Sequence, residues 1–326
     1  MTRVLITGAG GFIGSHLVDD QLARGRSVTA FDLNLDRLAH VRGHPQCKHI
    51  RGDIRDPSAT RSALEGAETV FHLASAHLEV TKSDSYFREV NVDALRQLLT
   101  IAMQGGVRRL VHCSSTGVFG RLHRLPADES TECHPDVAYE VTKLAGEQVV
   151  SEFRTGLPSV VIRPAWVYGP RCGRTLKLFR SIARRRFLMI GPGENYRHPI
   201  YIHDMLAAFE LAATRNGVVG ETFIVASDRA VELKALIGEI VAVQGMNYRP
   251  ARVPLALMWP VCVAVEKLSG AIGREPPFSK RSLKFFTESA TFRIDKARRL
   301  LGFEPQVELR AGLTSCLEHF RQQRLL

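Results

Sequence analysis

The sequence predicts an α/β fold built on a doubly wound parallel sheet. Short apolar strands alternate with helical patterns through the first half of the chain, and a glycine-rich turn follows the first strand. Each connection between strands is long enough to hold a helix, and such crossovers are right-handed. We therefore expect helices on both faces of the sheet. The 326 residues suffice for one large domain or two modest ones.

The apolar pattern predicts the elements in order. The predicted strands are Val4–Thr7, Ser27–Phe31, His49–Gly52, Thr69–Leu73, Arg109–Ser114 and Ser159–Arg163. The predicted helices are Gly14–Arg24, Pro57–Leu64, Asn91–Gln104 and Tyr139–Phe153, followed by 174–186, 203–214 and 232–244. Proline and glycine become more frequent after Pro164. We therefore expect a first domain of residues 1–165 and a smaller portion of residues 166–326, partly interwoven with it.

Composition narrows the class of protein. Apolar residues make up 45% and charged residues 24%, as in ordinary globular proteins. Six scattered cysteines without a C-x-x-C pair predict neither a metal site nor a disulfide framework, and they favour the cytoplasm. A strand that begins at Val4 leaves no room for a signal peptide. The apolar run Val253–Val265 is too short to span a bilayer; we expect a buried helix, with a membrane-touching surface as the alternative.

The net charge of +11 favours an anionic partner. Part of this charge recurs at helical spacing, at Arg171, Arg174, Lys177, Arg180 and Arg184. This basic face is either a solvated helix surface or a funnel for an anionic small-molecule substrate. No aromatic interleaving or nucleic-acid motif accompanies it, so we expect no nucleic-acid partner.

The turn after the first strand has the spacing of a dinucleotide fingerprint. It reads Thr7-Gly8-Ala9-Gly10-Gly11-Phe12-Ile13-Gly14, a T-G-x-x-G-x-x-G pattern. Its glycines permit a tight turn, close approach to a pyrophosphate, and packing of helix on strand. The pyrophosphate then lies at the helix N-terminus, where free N–H groups favour negative charge. The sheet is therefore predicted to be a Rossmann sheet that binds NAD or NADP.

Carboxylates after the second and third strands complete the predicted cofactor site. Asp32 can hold both ribose hydroxyls of NAD and would repel a 2′-phosphate, so we expect NAD. Arg37 lies close enough to keep NADP open. Asp53 and Ile54 fall where an adenine contact is expected, and a turn-capping aspartate is the alternative at Asp53.

Tyr139 and Lys143 lie four residues apart on a predicted helix and so share a face. Oxidation of an alcohol needs a base, and tyrosine, with a reference pKa of about 10, is a poor one at neutral pH. A neighbouring ammonium stabilises the phenolate and lowers that pKa. Ser114 and Ser115 follow the fifth predicted strand, at the sheet edge where ligands bind. A hydroxyl there can hydrogen-bond the substrate oxygen, while loop capping is the alternative.

Taken together, the chain resembles the extended short-chain dehydrogenase/reductase superfamily, in its NAD-dependent epimerase/dehydratase branch. The matching motifs are TGAGGFIGSHL at 7–17, GDIRD at 52–56, FHLASA at 71–76, NVDALRQLL at 91–99, VHCSSTGVFG at 111–120, YEVTK at 139–143, VIRPAWVYGP at 161–170, YIHDM at 201–205 and DKARRLLGFEP at 295–305.

The resemblance implies roles for individual residues. It makes Ser115 the catalytic hydroxyl, Tyr139 the acid/base, and Lys143 both its partner and a ribose ligand. It also implies a homodimer formed by the helices that contain Asn91–Gln104 and Tyr139–Phe153. Further cofactor contacts are expected within the matching motifs, at Phe12, Ile13, Leu73, Ala74 and Arg163.

Departures from the family pattern narrow the reaction. The 4,6-dehydratases of the family carry Asp-Glu after the catalytic threonine, and its decarboxylases carry a nearby glutamate. Here Thr116 and Gly117 follow Ser115, so we disfavour both chemistries. Epimerisation through a transient ketone and simple alcohol/ketone interconversion remain.

The substrate positions point in two directions. Arg197 and Arg274 fall where sugar-nucleotide enzymes place diphosphate-binding arginines, and this favours a nucleotide-sugar epimerase or dehydrogenase. At Trp166 the chain instead resembles the 3β-hydroxysteroid dehydrogenase and dihydroflavonol reductase branch, which acts on apolar alcohols. Ser115 and Thr116 are expected to contact either substrate. A non-catalytic redox sensor that binds NAD(P) is the third alternative, which the intact Ser115, Tyr139 and Lys143 disfavour.

Overall fold

A computed structural model of the chain describes residues 2–77, 82–271 and 280–326. The strands are β1 (Arg3–Thr7), β2 (Ser27–Asp32), β3 (Cys47–Arg51), β4 (Thr69–His72), β5 (Arg109–Cys113), β6 (Ser159–Pro164), β7 (Trp166–Tyr168), β8 (Leu188–Ile190), β9 (Tyr196–Arg197), β10 (Pro199–Tyr201), β11 (Thr222–Val225), β12 (Val231–Glu232) and β13 (Ala251–Val253). Seven of them form the central sheet in the order β11-β6-β5-β4-β1-β2-β3. Every pairing in this sheet is parallel, which confirms the doubly wound Rossmann prediction.

Helices connect the strands and cover the sheet. They are α1 (Phe12–Ala23), α2 (Pro57–Leu64), α3 (Asp84–Arg88), α4 (Ala94–Gln104), α5 (Ala138–Glu152), α6 (Gly173–Ala183), α7 (Ile202–Thr214), α8 (Leu233–Val243), α9 (Leu255–Ala271), α10 (Lys280–Thr287) and α11 (Leu309–Gln322). A π-helical turn at Glu89–Asp93 joins α3 to α4, so the helix predicted from Asn91 begins earlier than expected.

The core lies on both faces of the sheet because strand side chains alternate in direction. On β1, Val4 and Ile6 belong to one buried cluster, which also contains Leu17 of α1. Leu5 points to the opposite face and joins a cluster that contains Leu95 of α4. The alternation therefore fixes which helices lie on which side of the sheet.

The later half of the chain contributes to the central sheet. Strand β11, whose bounds the sequence pattern did not give, pairs with β6 from Thr222–Val161 to Val225–Pro164. Helix α7 packs against β5 and β6. The division at residue 165 therefore separates stretches of sequence that share one sheet.

The apolar run at Val253–Val265 differs most from its prediction. It forms the end of β13 and much of α9, whose Leu257 is 62% exposed and whose Trp259 is 51% exposed. Only a stripe that contains Met258 and Cys262 packs inward, on a small cluster with Ile190 and Leu283. The preferred expectation of burial is therefore wrong, because this cluster covers one side of the helix. Within the described ranges, no helix has the length and apolar character needed to cross a bilayer.

Candidate active site

The glycine turn forms a cradle that side chains could not enter. Gly8 has φ +71°, and a Cβ there would lie 2.6 Å from the amide nitrogen of Ala74. A Cβ on Gly14 would lie 2.1 Å from the carbonyl oxygen of Gly8. Gly11 caps α1 without a side-chain hydrogen bond, and the first turn of α1 carries no acidic residue. The N–H groups at this end of α1 are thus left for an anion, and the turn fits the pyrophosphate of a dinucleotide.

Two neighbouring strands hold this turn in place. Thr7 Oγ1 accepts hydrogen bonds from the backbone amides of Leu73 and Ala74, both at 3.2 Å. The end of β4 therefore lies directly beside Gly8, as the cofactor predictions for Leu73 and Ala74 require. Phe12 and Ile13 are half-buried in the first turn of α1.

Asp32 reaches the turn from the end of β2. Its carboxylate accepts hydrogen bonds from the amides of Gly10 at 2.9 Å and Asn34 at 3.0 Å. Arg37 donates to the carbonyl oxygen of Gly10 across 3.3 Å. The structure thus brings the predicted ribose-binding carboxylate next to the predicted pyrophosphate site.

The two hydroxyl side chains predicted to contact the substrate lie just after β5, next to the carboxyl end of β6. Ser115 begins a short 3-10 turn, Thr116–Phe119, and its Oγ accepts a hydrogen bond from the Gly117 amide at 3.0 Å. Thr116 Oγ1 donates to the carbonyl oxygen of Pro164 across 3.1 Å. Ser115 and Thr116 are both partly exposed at this edge of the sheet.

Helix α5 aims the predicted lysine at the same edge. Lys143 is 4% exposed and donates from Nζ to the carbonyl oxygen of Cys113 across 2.7 Å. Burial lowers the pKa of Lys143 below its ordinary value. Tyr139 is partly exposed, with its ring centroid 4.4 Å from that of His77. Ser115 and Lys143 therefore lie at the carboxyl end of β5, and Tyr139 lies one turn before Lys143 on α5.

The residues predicted to select the substrate have unequal surroundings. The Trp166 ring is partly exposed, stacks on Tyr168 at 5.9 Å and meets Phe285 of α10 edge-on at 6.3 Å. Arg197 donates to the carbonyl oxygens of Lys284 at 2.8 Å and Phe285 at 3.1 Å, and its guanidinium lies over the Phe285 ring. It thereby caps the last turn of α10, where carbonyls lack helical partners. Arg274 lies outside the described residues.

Comparison with known proteins decides the family. A family profile described as "NAD dependent epimerase/dehydratase family" matches residues 4–226, more than half of the chain. The chain belongs to this family. It is an NAD-dependent enzyme of the extended short-chain dehydrogenase type, as the sequence predicted.

Relatives of this family member cover almost the whole chain. It is 27% identical to N-acetyl-alpha-D-glucosaminyl-diphospho-ditrans,octacis-undecaprenol 4-epimerase of Escherichia coli O157:H7, over 97% of this chain and 95% of that protein. It is 30% identical to sterol demethylase protein B of Methylococcus capsulatus, over 99% of both proteins. UDP-glucose 4-epimerase of Thermotoga maritima, with 24% identity and 99% and 100% coverage, has the same fold at a TM-score of 0.81.

A buried ionic network that sequence reasoning missed lies behind the sheet edge that carries the predicted catalytic residues of this epimerase/dehydratase family member. Arg163 contacts Glu147 of α5 at 2.7 Å, and Ser114 donates its hydroxyl hydrogen to the same carboxylate. The guanidinium predicted to contact the cofactor thus binds Glu147 in this structure, and its cofactor contact stays a prediction. Spacing could have revealed Glu147, because it continues the face of Tyr139 and Lys143 by one more helical turn.

Two buried histidines, also missed, lie beneath Lys143. The rings of His72 and His112 stack at 5.3 Å on the neighbouring strands β4 and β5. His72 Nδ1 lies 2.8 Å from the hydroxyl of Thr7. Burial lowers the pKa of His72 to about 3 and that of His112 well below its usual range, and the Lys143 charge lowers both further. Both rings are therefore neutral at physiological pH.

A carboxylate from α5 approaches the turn that follows Ser115, although none follows Ser115 in sequence. Glu140 projects from α5 towards Gly117, and Glu140 Oε1 lies 3.4 Å from where a Gly117 Cβ would stand. Ser115 Oγ lies 3.2 Å from the same point. The glycine thus admits a carboxylate from another element, and the sequence argument against elimination and decarboxylation stays a prediction.

The two residues predicted to contact adenine, Asp53 and Ile54, have other contacts in the structure. Arg55 pairs with Asp53 at 2.7 Å, and its backbone amide donates to the same carboxylate at 2.9 Å. This hydrogen bonding lowers the pKa of Asp53. Asp53 thus organises a turn, which agrees with its alternative interpretation as a turn-capping aspartate. Ile54 beside it is buried in the core. Their adenine contact stays a prediction.

Proposed function

We propose that this enzyme exchanges a hydride at a secondary alcohol or ketone whose remaining body is apolar. The contact between Arg197 and α10 carries the proposal. Arg197 was predicted to bind a diphosphate, but two of its guanidinium donors already bond to the carbonyl oxygens of Lys284 and Phe285. Burial also lowers the pKa of Arg197 to about 10. The partly exposed ring beside it is Trp166. An aromatic wall of this kind suits a steroid-like or alkyl substrate better than a sugar diphosphate.

The proposed chemistry assigns each catalytic residue one task. NAD held at Gly8–Gly14 and Asp32 supplies the hydride acceptor. Ser115 donates a hydrogen bond to the substrate oxygen, and Tyr139 takes the hydroxyl proton as the carbinol hydrogen departs with its electron pair. Lys143 stabilises the phenolate form of Tyr139 that accepts this proton, and its bond to Cys113 keeps the ammonium in place. The reverse sequence reduces a ketone.

Proteins similar to this chain support an apolar substrate. They include 3 beta-hydroxysteroid dehydrogenase/Delta 5-->4-isomerase of Mycobacterium tuberculosis and 2-alkyl-3-oxoalkanoate reductase of Stenotrophomonas maltophilia. The name of the Escherichia coli relative joins undecaprenol to a sugar diphosphate, so that relative agrees with either candidate.

Epimerisation of a sugar diphosphate is the second candidate. The observation in its favour is the exposed basic face of α6, which includes Arg174 and Lys177 and would attract a polyanion. In an epimerase the hydride returns to the same carbon, so no reduced cofactor accumulates.

Product analysis separates the two candidates. The purified protein is incubated with NAD and either a 3β-hydroxysteroid and β-hydroxyketone panel or a panel of UDP-, GDP- and dTDP-sugars. We expect NADH and a ketone from the first panel only, read by absorbance and NMR, with the Tyr139→Phe variant as the inactive control. Conversion of a nucleotide sugar with no turnover of any apolar alcohol would show the proposal to be wrong.

A further inference from the structure

One surface of the enzyme is apolar and exposed although it lies outside the catalytic site. We call it the α9 surface, and its members are the exposed side chains Leu188, Leu255, Leu257, Trp259 and Val261. Leu188 belongs to β8, which pairs with β13, and α9 follows β13 after one residue. The five side chains therefore belong to one contiguous part of the fold.

The outward face of α9 lacks the polar residues that a water-facing helix carries. Successive outward positions from Leu255 to Val261 hold leucine, alanine, leucine, tryptophan, proline and valine, and the inward stripe is Met258 and Cys262. No charged residue occurs between positions 253 and 265. A helix at a protein surface ordinarily presents charged or polar side chains to water. This face is therefore expected to meet a less polar environment.

Arginines border the α9 surface without acidic neighbours in sequence. The segments entering the β8–β13 pair carry the exposed arginines Arg184, Arg185, Arg186, Arg249 and Arg252. Among the described residues these five guanidiniums form no salt bridge. Neither residues 173–193 nor residues 240–265 contain an aspartate or glutamate. The edge of the α9 surface is thus strongly positive.

We propose that the α9 surface binds the anionic phospholipid face of a bilayer. The leucines, Val261 and Trp259 would enter the boundary between headgroups and acyl chains, with α9 in the plane of the membrane. The bordering arginines would pair with lipid phosphates. This inference rests on the surface alone and does not require the proposed substrate class.

The side chains of α9 favour a bilayer over a protein partner. Protein interfaces carry about one hydrogen bond per 100–200 Å². Between Leu255 and Val261, the indole N–H of Trp259 is the only strong side-chain donor. A bilayer needs no directional bonding from the inserted face, whereas a protein partner would leave its polar groups opposite an apolar helix.

Vesicle co-sedimentation of the full-length protein tests the proposal. One set of vesicles is phosphatidylcholine alone, and the other contains equal parts phosphatidylcholine and phosphatidylglycerol. We expect binding to the second set only, weakened by added salt. The double variant Leu257→Gln, Val261→Gln should lower partitioning about tenfold or more. The charge variant Arg184→Gln, Arg252→Gln should lower it about fivefold for each arginine removed.

Matched variants elsewhere on the surface control for general effects. Val219→Gln changes an exposed apolar residue, and Arg61→Gln with Arg154→Gln removes two exposed cations far from α9 in sequence. Both controls should bind vesicles like the wild type. NAD affinity and thermal melting show that every variant is folded. Absence of wild-type binding to anionic vesicles, or unchanged binding by the α9 variants, would overturn the proposal.

Fluorescence identifies the residue that meets the lipid. The chain has two tryptophans, so Trp166→Phe leaves Trp259 as the sole reporter. Its emission should shift to the blue on addition of anionic vesicles and stay unchanged with phosphatidylcholine. Emission that is already blue-shifted without vesicles, together with a dimer that Leu257→Gln dissociates, would instead assign this surface to a second copy of the chain.

Discussion

Lys143 donates a hydrogen bond from its ammonium to the carbonyl oxygen of Cys113 across 2.7 Å. This bond ties α5, which carries Tyr139, to the end of β5, from which Ser115 follows two residues later. A buried ammonium needs such a partner because burial disfavours its charge. The bond therefore fixes the lysine where it can serve both the tyrosine and the cofactor ribose.

Removal of the acid/base should abolish turnover while the cofactor still binds. We expect Tyr139→Phe to lower kcat by about 100-fold to 10,000-fold, the usual contribution of general acid–base catalysis. Because Tyr139 is outside the glycine cradle, the NAD dissociation constant should change little. Steady-state kinetics and a cofactor titration measure the two effects. Unchanged turnover would remove Tyr139 from its proposed role.

Lys143→Met should lose both functions together. It removes the charge that stabilises the phenolate and the predicted ribose ligand, so kcat should fall and NAD binding should weaken. Tyr139→Phe is the matched control, because it should affect kcat alone. Loss of turnover with wild-type NAD affinity in Lys143→Met would contradict the ribose contact.

Asp32 should determine the choice between NAD and NADP. Asp32→Asn keeps the size of the side chain but removes the charge, and its single amide oxygen can accept from only one of the Gly10 and Asn34 amides, which bond to separate carboxylate oxygens. Loss of charge-assisted bonds to the ribose hydroxyls should weaken NAD about tenfold to 100-fold. NADP should weaken less, because repulsion of its 2′-phosphate also disappears. Calorimetric titration of both cofactors measures this, and equal losses would contradict the assignment.

The ion pair between Arg163 and Glu147 should contribute to stability. Both side chains are buried, so Arg163→Ala leaves an unpaired carboxylate in the core and should cost about 3–5 kcal/mol in the free energy of unfolding. The control is Arg310→Ala, at an exposed pair with Glu239, which should leave the free energy of unfolding nearly unchanged. Urea unfolding measures both.

A double substitution separates the charge from the packing. Arg163→Met combined with Glu147→Leu removes both charges and should be more stable than Arg163→Ala alone. A double variant as unstable as the single one would show that packing, rather than the unpaired charge, dominates at this site.

The sequence predicted the central sheet well because its strands are continuous apolar runs. The Gly8–Gly14 turn was also predictable, since local spacing specifies it, whereas the catalytic roles of Ser115, Tyr139 and Lys143 stay predictions. The bounds and partner of strand β11 were not predicted, because they depend on pairing with a strand about 60 residues earlier.

Contacts between distant segments were the least predictable part. The capping of α10 by Arg197 and the approach of Glu140 to Gly117 depend on tertiary packing, which no motif encodes. The exposure of α9 has the same origin. An apolar run signals burial only when the fold supplies a surface to cover it, and here Met258 and Cys262 pack on one while Leu257 and Trp259 stay exposed.

The buried histidines should make stability depend on pH. The folded-state pKa is about 3 for His72 and well below 6.5 for His112, whereas an unfolded histidine titrates near 6.5. Above that pH both states are neutral and the full stability is present. As pH falls below about 6.5, the unfolded state gains protons that the folded state excludes. Each histidine then lowers the free energy of unfolding by about 1.4 kcal/mol per pH unit.

His112→Phe should remove one of these contributions. Phenylalanine keeps the stacking on His72, and within the described residues neither ring nitrogen of His112 has a hydrogen-bond partner to lose. Between about pH 6 and pH 4.5 the variant should lose stability less steeply than the wild type, by about 1.4 kcal/mol per pH unit. Val111→Ala, at the neighbouring buried residue, should lower stability equally at every pH. Denaturant titrations across this range measure the slopes, and identical slopes for His112→Phe and the wild type would mean that His112 is not held neutral by the fold.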